Sequence, residues 1–324
     1  MSDEILTELF LQKLDTEKDK VAETASTYVR TRLREISFSR KILTPEYVTK
    51  ADCQRSVNHE QLVKIVDIEP NSKAMAINFR GRPDASYVIG TRYEIPFYKV
   101  SSPEYQKQED ELLSYESPIL DLIERHAVVD IQTIEDEGFI TRVESALATS
   151  GKYSTCDASW TTNALPKQAF VNLINTLTNP GTVAGTSEIA NSTTTGNTAY
   201  KHNFEARRYK VDTILMNEQD FNLILLWAAS EMGDNFATEI TVNGYTYATL
   251  MGKKIIVTQK GELVPPGSMY AFAAKQFMGH SYILNDTHFW IDKRKDIITW
   301  SAYETIGAGI GNVYSIAKIS KNNN

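Results

Sequence analysis

The sequence predicts an α+β fold, with strands gathered in clusters rather than alternating regularly with helices. Three observations carry this. Apolar residues alternate with period two in parts of 62–100, one long helical pattern covers 117–149, and strand-like runs succeed one another closely after residue 211. Regular βα alternation would instead predict a doubly wound parallel sheet.

Residues 1–50 read as a detached helical arm. Ile5, Leu6, Leu9, Phe10 and Leu14 recur at helical spacing, the charged "DTEKDK" comes next, and "AETASTYVRTRLREI" resumes the helical pattern. Such an arm buries one stripe against something else, because it is too thin to enclose a core. From 62 to 100 the period is two: Met75, Ile77 and Phe79 alternate with polar or small neighbours, and so do Tyr93, Ile95 and Phe97. Turn-rich "EPNSK" and "RGRPDAS" punctuate this stretch, which predicts an extended two-stranded excursion, with Pro96 placing its strand at an edge.

Ser117 and Pro118 supply an N-cap and first helical residue. Leu120, Ile123, Ala127, Ile131 and Ile134 then step by three and four, the phase slips at Gly138, and Phe139, Val143 and Ala146 resume it before Gly151. At about 1.5 Å per residue, such a helix is roughly 50 Å long, a strut rather than a core helix. A helix over 165–177 comes next, then a polar loop, 179–204, rich in Thr, Gly and Asn. "VDTILMN" predicts a strand, "EQDFNLILLWAASEM" a helix, and "GKKIIVTQ" and "GSMYAFAAKQF" strands. Two strands flank "DKRKD", and "VYSIAKISK" is the last.

The totals exclude several classes. With 34 Lys and Arg against 41 Asp and Glu, the chain carries a formal charge of −7 and lacks the basic footprint of a protein that wraps nucleic acid. No run of 18 apolar residues predicts a membrane span, and the acidic amphipathic N-terminus is not a signal peptide. Cys53 and Cys156 match no metal spacing and read as free thiols in a reducing compartment.

The stretch "ETIGAGIGNV" invites a nucleotide-site reading, because bare backbone can approach a phosphate. That reading fails on the residues downstream of Gly307, Gly309 and Gly311. A dinucleotide fold needs a helix and an acidic residue there, a P-loop needs Lys-Ser or Lys-Thr, and this chain has Asn312-Val313 and a final strand. The glycines read instead as a hinge between strands, where close backbone contact or positive φ is required. His59, His126, His202, His280 and His288 lie at no metal spacing. In "IEDEGF", Glu135, Asp136 and Glu137 point about 100° apart on a helix, so they form no chelating cluster and read as an acidic band facing solvent or an interface. No catalytic, cofactor or metal residues are expected, and the chain is not expected to be an enzyme. The small basic groups, Arg80 and Arg82 among them, are suited to meet the acidic band of a neighbouring copy.

The order of these parts resembles the tailed double-stranded-DNA bacteriophage major capsid proteins. The pieces that carry the resemblance are "IEDEGF", "TILMNEQDFNLIL", "LMGKKIIVTQ", "VPPGSMYAFAAKQFMG", "FWIDKRKDIITWSAYE" and the closing "VYSIAKI". It implies an N-terminal arm over 1–61, an extended loop over 62–100, and a peripheral domain over 101–178 and 286–310 with a spine helix at about 117–149. An axial domain over 179–285 and 311–324 includes the polar loop 179–204. It further implies a structural subunit of an icosahedral capsid, located in the virion and assembled in the bacterial cytoplasm, that self-assembles into pentamers and hexamers enclosing double-stranded DNA. Its partners would be further copies of itself, portal and scaffolding or decoration proteins, and DNA held without sequence-specific binding, with no membrane. The expected inter-subunit contacts are Arg80, Arg82 and Arg92 from the loop, with Glu135, Asp136 and Glu137 as acceptors. Gly307, Gly309 and Gly311 form the expected hinge. An encapsulin-type nanocompartment shares this architecture, and a soluble α+β enzyme is the alternative from another class. No residue, Lys73 included, can be matched to the lysine that cross-links some relatives.

Overall fold

The computed structural model describes residues 20, 22–27, 37–55, 61–68, 91–108, 111, 119–156, 160–161, 164–178, 209–224, 226–227, 249–250 and 252–322. Arg80, Arg82, "AMAINFR", the loop 179–204 and the first 19 residues lie outside them. In chain order the elements are helix α1 (Phe38–Ile42), strands β1 (Glu46–Tyr47), β2 (Gln54–Arg55), β3 (Leu62–Ile68), β4 (Thr91–Pro96), β5 (Tyr98–Ser101) and β6 (Tyr105–Gln108), helix α2 (Ile119–Ser150), β7 (Tyr153–Cys156), α3 (Lys167–Thr178), β8 (Val211–Asn217), α4 (Glu218–Ile224), β9 (Thr249–Leu250), β10 (Lys253–Thr258), β11 (Ser268–Ala273), α5 (Lys275–Met278), β12 (Gly279–Arg294), β13 (Ile297–Ile310) and β14 (Ile316–Lys321). The chain divides into two compact units. The first comprises the described parts of Met1–Leu62, Pro96–Thr141 and Ser281–Ala308, and the second those of Val63–Ile95, Arg142–His280 and Gly309–Asn324.

The first unit is built on the β12–β13 hairpin. The two strands turn around Lys295 and Asp296, and Lys295 takes the left-handed φ of 55° that this tight connection demands. β1 runs parallel to β12, while β6 and β5 pair antiparallel with successive parts of β13, at Ile297–Trp300 and Tyr303–Ile306. The alternation of the strands puts Phe289, Ile291, Ile298, Trp300, Ala302 and Ile306 on one face, where Ala127, Val128 and Ile131 of α2 cover them. Tyr105 stacks on Trp300 at 5.9 Å and its hydroxyl donates to Asp130 at 2.8 Å. His126 therefore faces the Tyr105 ring, and Asp130 takes the tyrosine rather than His126 as its hydrogen-bond donor.

The expectation of a detached arm is corrected for its described part. Ala25 is in the core of the first unit, and the Ser26 hydroxyl accepts a 2.8 Å hydrogen bond from the backbone N–H of Phe289. Phe38 packs edge-on against Phe139 at 6.3 Å. These residues bury their apolar faces within the chain itself.

The long helix ends as its sequence demands. Gly151 adopts φ 66° and its N–H reaches the Leu147 carbonyl at 2.8 Å, an αL cap that favours glycine. The phase slip expected at Gly138 is absent. Buried positions run Ala127, Ile131, Glu135, Phe139, Val143, Leu147, a continuous stripe four residues apart, while Ile134 is 42% exposed. A glutamate holds the place assigned to the isoleucine.

The second unit carries a six-stranded sheet in the order β7-β14-β11-β8-β10-β9. β10 runs parallel to β8, β14 parallel to β7, and β11 antiparallel to both β8 and β14. β11 is buried along its whole length, which is why "SMYAFA" reads as a continuous run instead of alternating. Ala169, Phe170, Leu173 and Leu177 of α3 close the core against Ile214, Met216, Met269, Ala317 and Ile319. The "EQDFNLILLWAASEM" helix is described to Ile224. Beyond it Trp227 donates its indole N–H to the Leu165 carbonyl at 2.9 Å and meets Phe170 edge-on.

The domain boundaries differ from those expected. Residues 142–178 join the second unit, because β7 extends its sheet and α3 covers it. Ser281–Asn285 join the first, because β12 runs on without a break and pairs Tyr282 and Ile283 with β1. "RYEIPFYKV" is two strands. β4 neighbours β3 and, ending in Pro96, lies at a sheet edge, while β5 pairs with β13.

Candidate functional site: a buried ionic network and a glycine seam

Arg40 is the centre of a buried network in the first unit. α1 places its guanidinium against α2, where Nε lies 3.1 and 2.9 Å from the two carboxylate oxygens of Glu135 and Nη2 lies 2.6 Å from Oε1. The same Nη2 donates to Glu304 Oε2 of β13 at 2.8 Å, and that oxygen also accepts the Thr287 hydroxyl of β12 at 2.9 Å. One turn of α2 therefore binds α1 on one side and the hairpin on the other. Asp136 continues the network. Its Oδ1 accepts the Ser37 hydroxyl at 2.9 Å and the Ser39 N–H at 3.0 Å, fixing the start of α1. Glu135 is 7% exposed, and Asp136 and Glu304 are fully buried.

The charges here do not balance. One guanidinium serves two carboxylates, and Glu304 Oε1 is buried without a hydrogen-bond donor. Burial, and then the negative charge of Glu304, push the Glu135 carboxyl well above the ordinary carboxylate range, against the pull of Arg40. The Arg40 guanidinium is held charged, since the attraction of Glu135 and Glu304 outweighs its own burial.

Two of the expected inter-subunit acceptors are thus used inside the chain. Glu135 and Asp136 face Arg40, Ser37 and Ser39, and a buried carboxylate cannot also serve a neighbouring copy. Glu137 is exposed on α2. Arg92 is exposed and pairs with Asp67 at 2.6 Å between β4 and β3; at 73% and 61% exposure this pair contributes at most about 1 kcal/mol. Arg40 and Glu304 were not foreseen. The one signal that points to Glu135 is the step of four from Ile131 to Phe139, which lands on it.

In the second unit Glu144 plays the corresponding part. Lys318 of β14 and the hydroxyl of Tyr270 on β11 both donate to its Oε1 at 2.7 Å, tying the C-terminal half of α2 to the sheet. Burial alone would raise this carboxyl, but the Lys318 and Tyr270 hydrogen bonds outweigh it and hold it below the ordinary carboxylate range.

The glycine stretch is a seam of close contact. A Cβ on Gly309 would lie 2.8 Å from Cγ1 of Ile95, and one on Gly311 2.7 Å from the Tyr93 ring. A Cβ on Gly279 would lie 2.2 Å from the carbonyl oxygen of Gly309. Gly307 is buried within β13. None of these four takes the left-handed φ of a turn glycine, Gly279 at φ 166° being extended, so bare backbone is needed for approach rather than for a turn. The space a phosphate would occupy over Gly309 and Gly311 is filled by Ile95 and Tyr93. The chain passes from the first unit to the second between Ala308 and Gly309.

Among the described residues no group of three or more His, Cys, Asp or Glu could hold a metal ion, and no helix is long and apolar enough to cross a membrane. No protein-family model and no curated protein sequence matches the chain. Solved structures do match its fold. The capsid of Myoviridae phage XM1 is similar over 88% of this chain and 91% of its own, at 15% identity and a TM-score of 0.50. The capsid of cyanophage P-SCSP1u matches over 90% of both chains, at 10% identity and a TM-score of 0.53. The virus-like particle from Pyrococcus furiosus matches over 94% of this chain and 100% of its own, at 14% identity and a TM-score of 0.51.

Proposed function

This chain has the phage major capsid fold, and from that premise we propose that it is the structural subunit of an icosahedral viral shell enclosing double-stranded DNA. The observation that carries the reading is that the likeness extends over about nine-tenths of this chain and of the capsid chains it matches. A likeness of that extent leaves little of either chain for an added catalytic module. The function is assembly, through pentamers and hexamers, with portal and scaffolding or decoration proteins as partners and no catalytic step of its own. The first unit is read as the peripheral domain and the second as the axial domain. The extended loop reaches a neighbouring subunit, with Arg80, Arg82 and Arg92 as its cations and the exposed Glu137 as an acceptor. The net charge of −7 suits an inner surface that holds DNA without trapping it.

A genome-free compartment is the second reading, favoured by the full-length match to a chain from a virus-like particle. Nuclease protection separates the two. Particles containing this chain, purified from the cells that produce them and treated with nuclease, are expected to release double-stranded DNA. Particles that release a protein cargo and no protected DNA would establish the compartment instead.

A further inference from the structure

We propose that Glu144 is an acid-released latch: on taking up one proton from solvent, it loosens the C-terminal half of α2 from the sheet of the second unit. The inference concerns that unit by itself and stands whether or not the shell reading does.

The geometry carries it. Three adjacent strands present one row of side chains to this carboxylate. Lys318 of β14 lies opposite Tyr270 of β11 on one side and Tyr153 of β7 on the other. Lys318 and Tyr270 both donate to Oε1 at 2.7 Å, and Tyr153 donates to Oε2 at 3.2 Å. These are the titratable groups that face Glu144 from the three strands. β7 follows α2 through Gly151 and Lys152, so the Tyr153 bond ties the helix only to its own continuation. Lys318 and Tyr270 are 174 and 126 residues from Glu144 in sequence, and it is their bonds that hold the helix to the sheet.

Both of those bonds draw on the negative charge. Hydrogen bonds to an ionised acceptor are roughly twice as strong as those to a neutral one, so protonation weakens each by about half. It also removes the counter-charge bonded to Lys318, whose side chain is 18% exposed and lies over the buried Tyr270 ring. Val143, Ala146 and Leu147 on the same half of α2 are buried, so its opening exposes apolar surface. The direction of the pH effect comes from linkage. Burial opposes ionisation of Glu144, but the Lys318 and Tyr270 hydrogen bonds outweigh it and depress the folded pKa. A carboxyl of that kind contributes stability that is present above its unfolded value, about 4.3, and is lost as pH falls through the folded value. The C-terminal half of α2 is therefore held at neutral pH and loosens in acid.

Amide hydrogen exchange of the full chain, read at 143–150 and corrected for intrinsic rates, tests this in the wild type, Glu144→Gln, Lys318→Met and the double variant. Methionine keeps the stem of Lys318 over the ring and removes its charge. At about pH 7 the two substitutions should be non-additive by roughly two- to fivefold in the opening equilibrium, the range for a partly exposed ion pair. At about pH 3 they should approach additivity. A glutamate that merely fills space gives no such change. Coupling absent at about pH 7, or as large at about pH 3, would overturn the proposal. Should a variant fail to fold, or the chain unfold in acid, the carbon-13 NMR shift of the Glu144 carboxyl in the wild type decides. More than half ionised at about pH 4.3 is the expected result, and half or less is the opposing one.

Discussion

Replacing Arg40 with methionine lowers the stability of the first unit by about 3–5 kcal/mol, because it strands Glu135 and Glu304 as buried charges without a partner. That is a large part of the ~5–15 kcal/mol that holds a domain together. Urea denaturation of the purified chain measures it. Arg40→Lys restores the charge but not the fork that spans both carboxylates, so it should fall between the two. The informative companion is the triple variant Arg40→Met, Glu135→Leu, Glu304→Leu. Apolar residues replacing a whole buried ionic group cost little, so this variant should recover most of the loss. If Arg40→Met is as stable as the wild type, the network does not hold α1 in place. Truncation obeys the same logic. A chain lacking residues 1–40 loses Ala25, Ser26 and Phe38 as well as Arg40 and should be less stable than Arg40→Met, whereas one lacking 1–19 keeps every contact described for the first unit.

Gly309→Val should destabilise the free subunit by about 1–3 kcal/mol, the range for overpacking a filled core. Its Cβ would stand 2.8 Å from Ile95, which is fully buried. A glycine serving purely as a hinge would predict the opposite, a variant that folds normally and assembles badly. Thermal unfolding of the monomer tells these apart. Ile95→Ala should partly rescue Gly309→Val, since the two groups compete for one space. Gly279→Ala should cost more than Gly309→Val, because the obstructing atom is a backbone oxygen that cannot rotate away. Unchanged monomer stability in Gly309→Val would return the seam to the hinge reading.

Much of the fold was legible because it is written locally. "VDTILMN" matches Val211–Asn217, "DKRKD" marks the hairpin turn, and the 117–149 pattern differs from Ile119–Ser150 by a residue or two at each end. What escaped was long-range. Arg40 is 95 residues from Glu135 and 264 from Glu304, and nothing near Glu135 announces a cation so distant. Local reading favoured Ile134 for burial on hydrophobicity alone, although the stripe of α2 passes through Glu135. The glycines were read as a hinge needing bare backbone, and the groups that approach Gly309 and Gly311, Ile95 and Tyr93, lie more than 200 positions earlier. The continuity of α2 also concealed that its two halves belong to different units, which moved the boundary from residue 178 to 141.

Electron microscopy of the purified protein tests the central claim most directly. The shell reading predicts rings of five and six copies or closed particles. A population consisting only of 36.5 kDa monomers at every concentration would contradict it.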